Sequence, residues 1–170
     1  VFLSYANQMQ VHCIRPATVC GLSPRMRLDV SVNMLTYQGL KNGKITVFGG
    51  EQTRPNIHIQ DMANVYRHFL AHPELPSGCY NAGFENLKIL EIAQRVQQGT
   101  GAEIVVSESN DPRSYRQDSS KLLATGFQPQ FSVQSAIDEI TTAYRNGELP
   151  DGKNCYTVKW MKHLQLEANR

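Results

Sequence analysis

Between Ile45 and Ala63 the spacing of apolar residues changes character twice, and few architectures accommodate that change. The β-branched run Ile45-Thr-Val-Phe48 stops at Gly49-Gly50. Beyond a lone Arg54, Ile57-His58-Ile59 alternates apolar and polar. From Asp61 onward Met62, Val65, Phe69 and Leu70 recur at helical spacing. A strand, a glycine turn, a second extended stretch and a helix in so short a span predict an α/β fold.

The rest of the chain repeats this alternation. Val11 to Arg15 is a strand-like run closed by Pro16, which has no N–H to give a ladder. A loop follows through Gly21, Ser23 and Pro24. Val32, Leu35 and Leu40 predict a helix from about Leu28 to Leu40, ending near Gly43. The helix opened by Asp61 stops before Pro73, and Cys79 to Gly83 is a short strand and turn. Ile89, Leu90, Ala93 and Val96 form the next helical stripe, with Gly99 as its stop. Ala102 to Ser107 is β-rich. Asp118 caps a short helix to Ala124 that Gly126 ends, and Ser132 caps one carrying Val133, Ala136, Ile137, Ile140 and Tyr144. The tail after Gly147 is polar, with Trp160 as its one large aromatic anchor. There is no internal repeat or low-complexity segment.

Composition removes several function classes. At 170 residues, 41% apolar and 19% charged, the chain is globular and forms one domain or most of one. A net charge of +2 with scattered Lys and Arg gives no basic face for a nucleic acid. Cys13, Cys20, Cys79 and Cys155 form no C-x-x-C pair and have no His-rich companion, which argues against a zinc site. Cys13, in an apolar run, is expected to be a reduced, buried thiol, and the cytoplasm is the expected compartment. No apolar run approaches the roughly 20 residues of a membrane span. Val1-Phe-Leu-Ser-Tyr-Ala lacks a methionine and a signal pattern; it reads as the middle of an amphipathic helix, in a chain cut from something longer.

The order of residues from Ile45 to Ala63 resembles the "VFG…R…IHV.D.A" segment of extended short-chain dehydrogenase/reductases that epimerise or dehydrate nucleotide sugars. Arg15-Pro-Ala-Thr-Val-Cys-Gly21 is similar to the "R..NVYG" strand end of that family, and Asp111 to Lys121 to its late "GD…..D.SK" segment. The resemblance covers nearly the whole chain. It implies the C-terminal part of a Rossmann-like parallel sheet plus the small α/β substrate-binding domain. Residues 1–27 would end the cofactor domain and residues 28–150 would mainly bind substrate. Within the latter, 45–75 would cross back toward the sheet, and 151–170 would form a polar tail.

The resemblance also implies site residues. Pro16 and Ala17 would approach the nicotinamide of NAD or NADP. Thr18 stands where relatives often carry a substrate-binding Asn, and Arg25-Met-Arg27 leads into Asn33, expected to line the sugar-nucleotide cleft. Thr46 and Phe48 would hold the base, Arg54 would clamp the diphosphate, Asp111 would bind the ribose, and Arg113 would add charge at the phosphates. A planar guanidinium suits the clamp because its donors match phosphate oxygens in pairs. Three departures stand out: Thr18 for Asn, Pro55 for Asp, and Glu108 for an Arg. His58 is expected to be a hydrogen-bonded scaffold residue, Asp118 a helix cap and Asn81 a turn residue.

The family's Tyr-x-x-x-Lys spacing occurs only at Tyr37 and Lys41, after the strand it should precede, and is read as chance. There is no Gly-x-x-Gly-x-x-Gly turn either. The chain is therefore expected to be the substrate-binding half of an NAD(P)-dependent nucleotide-sugar epimerase or dehydratase, inactive and not binding the dinucleotide alone. Two alternatives remain: a nucleotide-sugar binding module completed by a partner chain, and a scaffold or interaction protein. Self-association or a partner is expected along the truncated sheet edge, with Val11 and Ile14 exposed there. Neither a nucleic acid nor a membrane is an expected partner.

Overall fold

Segments of strand-like and helix-like periodicity sort into layers around three cores. A computed structural model describes residues 1–109 and 113–164. The strands are β1 (His12–Pro16), β2 (Thr18–Cys20), β3 (Lys44–Phe48), β4 (Thr53–His58), β5 (Gly78–Ala82), β6 (Glu85–Lys88) and β7 (Glu103–Ser107). Between and after them lie α1 (Ser31–Asn42), α2 (Ile59–Ala71), α3 (Ile89–Thr100), α4 (Ser120–Leu123), α5 (Val133–Arg145) and α6 (Thr157–His163). β1 pairs with β5 and β3 with β7, both in parallel. β4 lies between a parallel β2 and an antiparallel β6. Parallel pairs need crossover connections, and helices supply them; the fold is mixed α/β.

The largest core lies where α1, α3 and α5 pack on β3, burying Val32, Leu35, Ile45, Val47, Ile92, Val96 and Ile137. Ile57, Met62, Val65, Phe69, Tyr80 and Leu122 form a second, between α2 and the strands. Each large aliphatic side chain so buried contributes about 1.5–3 kcal/mol. A third core joins Met26, Leu28 and Tyr37 to Ile140 and Cys155. No helix among the described residues is long and apolar enough to cross a membrane.

Several elements depart from expectation. β2 and β6 carry no strand signal of their own, being short or polar; β4 makes them strands by offering an edge on each side. α3 runs past Gly99 to Thr100, and Gly101 in the left-handed region (φ 74°) closes it. His58, not Asp61, caps α2. The tail is held by Cys155, 1% exposed, whose carbonyl accepts from the Leu28 N–H at 2.9 Å, while Trp160 is only half-buried.

The β1 expectations also need correcting. Val11, just before β1, is buried (9% exposed), and Ile14 packs against the second core, whose Phe69 belongs to α2. The apolar exposure sits earlier, at Val1, Phe2, Tyr5 and Met9. Cys13 falls on the opposite face of β1 and is half-exposed; Cys20 and Cys155 are the buried thiols.

Candidate functional site

On β3, Ile45 and Val47 enter the core, so the pleat turns Thr46 and Phe48 outward together. Phe48 is 59% exposed, which removes it from the core. Gly49 and Gly50 follow with φ of 77° and 110° and reverse the chain. Gln52 stitches this turn: its Oε1 accepts from the Gly50 N–H at 2.6 Å and its Nε2 donates to the Phe48 carbonyl at 2.8 Å. Gly49 lies in the left-handed region, and a Cβ there would stand 2.8 Å from Gln52 Nε2, so a larger residue would be strained and would push Gln52 out of the turn. Sequence reasoning missed Gln52, whose only signal is its place just after a double glycine.

Thr46, Phe48, Gln52 and Arg54 line one cleft of about 230 Å³, closed by Met34 and Ile89. Pro16, Ala17 and Thr18 line a second, of about 410 Å³, with Pro55, Tyr115 and Gln117. Arg54 lines the first cleft and Tyr115 the second, so the contact between these two side chains makes the clefts neighbours. The Arg54 guanidinium lies 5.0 Å from the centre of the Tyr115 ring, and its Nη1 donates to the carbonyls of Thr53 (3.0 Å) and Arg113. Arg113 thus meets Arg54 through its backbone.

Residues 113–117 are laced to both clefts. Ser114 Oγ accepts from the Thr53 N–H at 3.0 Å, Gln117 N–H donates to Asn86 Oδ1 at 2.8 Å, and Gln117 Nε2 donates to the Arg15 carbonyl at 2.8 Å. Asp111 lies outside the described residues.

Asn33 lines neither cleft. It is 2% exposed and holds the preceding loop: Oδ1 accepts from the Gly21 N–H at 3.0 Å, and Nδ2 donates to the Arg27 carbonyl at 2.9 Å. His58 is likewise internal. Its Nδ1 accepts from the Gln60 N–H at 3.2 Å, which puts the ring proton on Nε2, 3.2 Å from Glu139 Oε2. The ring stacks on Phe131 at 4.9 Å. A Cβ on Gly21 would come 2.9 Å from His58 Nε2, so this imidazole sets how closely the Gly21 loop approaches β4.

Tyr37 and Lys41 do touch. Lys41 Nζ donates to the Tyr37 hydroxyl at 2.6 Å, but the same Nζ donates to Asp151 at 3.0 Å and the Tyr37 hydroxyl donates to that carboxylate. Burial and the Asp151 hydrogen bond push the Tyr37 hydroxyl above its usual range, the reverse of what a proton-transfer tyrosine needs. The pair instead ties the tail to α1. Among the described residues no group of three or more His, Cys, Asp or Glu is placed to hold a metal.

Residues 3–83 match the model of the NAD dependent epimerase/dehydratase family. Among solved structures, UDP-N-acetylglucosamine 4-epimerase from Bacillus cereus superposes with a TM-score of 0.71 at 21% identity, over 84% of this chain and 52% of its own. dTDP-glucose 4,6-dehydratase from Bacillus anthracis str. Ames, in complex with NAD, gives 0.71 at 18%, over 93% and 51%. UDP-glucuronic acid 4-epimerase from Bacillus cereus, in complex with UDP-4-deoxy-4-fluoro-glucuronic acid and NAD, gives 0.70 at 23%, over 85% and 48%. At these identities the structural likeness establishes the fold. The chain spans about half the length of the solved structures it matches.

Proposed function

We propose, from the premise that residues 3–83 belong to the NAD dependent epimerase/dehydratase family, that this chain is the nucleotide-sugar-binding part of an NAD(P)-dependent epimerase or dehydratase. The observation that carries the proposal is the contact of Arg54, in the first cleft, with Tyr115, in the second, which places a guanidinium between the two. The exposed Phe48 ring and Thr46 take the base, Arg54 takes the diphosphate with Arg113 adding charge, and Thr18 faces the sugar. Asp111 is assigned to the ribose. Asn33 acts on the substrate only through the Gly21 loop it holds.

NAD(P) supplies the hydride acceptor that makes a sugar carbon reactive; this chain's residues bind and orient the sugar. They fit only the nicotinamide end of the dinucleotide. There Ala17 N–H donates to the Ala82 carbonyl at 2.8 Å, and a Cβ on Gly83 would lie 2.5 Å from that of Ala17. This close backbone approach shapes the Pro16–Thr18 cleft. The sequence has no Gly-x-x-Gly-x-x-Gly turn for the pyrophosphate, so the isolated chain is expected to show no turnover. Turnover of any nucleotide sugar by the 170 residues alone would overturn that point.

The same proposal places a partner strand or second copy along β1, whose one strand neighbour among the described residues is β5. Four free cysteines suit a reducing compartment such as the cytoplasm. The test is calorimetric titration with UDP-glucose, UDP-N-acetylglucosamine and dTDP-glucose. Arg54→Ala should weaken binding on the order of 10-fold or more, as charge-assisted hydrogen bonds are worth about 1.5–3 kcal/mol. Absence of binding to all three, or indifference to Arg54→Ala, would leave a scaffold.

A further inference from the structure

Cys13 and Cys79 are direct register partners on the parallel strands β1 and β5. Residues so paired project to the same face of a sheet, on strands about 4.8 Å apart. Which face is fixed by their neighbours. His12 and Tyr80 turn inward, their rings 4.7 Å from Phe69, so Cys13 and Cys79 both turn away from that core. Both thiols are free and half-exposed, whereas Cys20 and Cys155 are buried at 1% exposure each.

We propose that Cys13 and Cys79 form a redox-responsive dithiol that a small disulfide of the glutathione class oxidises to an intrachain cross-link. A thiolate of one cysteine attacks the small disulfide, forming a mixed disulfide and releasing one small thiol. The second thiolate attacks the protein sulfur of that adduct, forming the Cys13–Cys79 bond and releasing the second small thiol. Two cysteine thiols are oxidised, one disulfide is reduced, and their two protons leave with the products. The strand spacing lies within the Cα separation of about 4.4–6.8 Å that a disulfide spans. The cross-link would clip β1 to β5 near their N-terminal ends, three residues before Pro16 and Ala82, the strand ends that lead to the second cleft.

The folded chain is incubated with oxidised glutathione, its remaining thiols are alkylated, and intact and peptide masses are read. The expected product is a Cys13–Cys79 cross-link with no retained glutathione, reversed by dithiothreitol, with Cys20 and Cys155 alkylated only after denaturation. Cys13→Ser should instead hold one stable glutathione on Cys79, and Cys79→Ser one on Cys13. Stable adducts on both cysteines of the unsubstituted chain, a cross-link to Cys20 or Cys155, or chain-to-chain dimers only would overturn the proposal. None of these outcomes depends on nucleotide-sugar binding.

Discussion

Asn33, in the first turn of α1, shows how one amide decides the shape of a loop twelve positions before it. Its Oδ1 is the partner of the Gly21 N–H, and Nδ2 holds Arg27. Removing a partner from a buried donor costs about 1–3 kcal/mol. Asn33→Ala should therefore lower chemical-denaturation stability by about that much, whereas a purely ligand-facing amide would leave it unchanged. Arg54 is the contrasting case. Arg54→Lys keeps the charge but loses the planar fork, and should recover only part of the nucleotide-sugar affinity that Arg54→Ala removes. Thr46, Phe48 and Arg54 were picked out by the resemblance alone; the outward placing of Thr46 and Phe48 comes from Ile45 and Val47 entering the core on the other face of β3. The role of Asn33 was not legible, because its partners are backbone atoms of a loop that carries no signal for them.

At the scale of elements, α2 and α5 are locked together by a carboxylate that local rules assign only to a helix start. Asp61 is fully buried and accepts from the Gln130 and Phe131 N–H groups at 3.0 Å each, fixing the chain just before α5. Asp61→Ala would orphan both donors and should cost about 2–4 kcal/mol, read as a lowered denaturation midpoint with an unchanged slope. Ser132→Ala, which removes the side chain accepting from the Ser135 N–H, should cost about 1 kcal/mol. The periods of α1, α2, α3 and α5 were legible because each buries one face. β2 and β6 were invisible because the strand state of Thr18–Cys20 and Glu85–Lys88 comes from β4.

Across the whole molecule, the tail is a docked part of the fold. Asp151 accepts from Lys41, Tyr37 and Tyr156, joining the tail to α1. Burial alone would raise the Asp151 carboxyl, but these hydrogen bonds outweigh it and hold the group below its ordinary range. Burial, and next the hydrogen bond to Asp151, push the Tyr156 hydroxyl up to about 12. A hydroxyl raised on folding stabilises the docked tail fully below its unfolded value, about 10. That contribution should be lost as pH climbs from there to about 12. Ultraviolet titration of the tyrosines should show a late-ionising fraction that moves to lower pH in Asp151→Asn; an unmoved fraction would disprove the coupling.

The order of strand and helix segments and the family resemblance were both determined by the sequence alone. Each depends on spacing along the chain, which a sequence states directly. Tertiary structure decided the contact of the two clefts through Arg54 and Tyr115, the inward use of Asn33, the partners of His58, the Asp151 tether, and the alignment of Cys13 with Cys79. These depend on which distant segments become neighbours. Strand register and helix docking set that, and they settle only when the separate periodic faces are buried against one another.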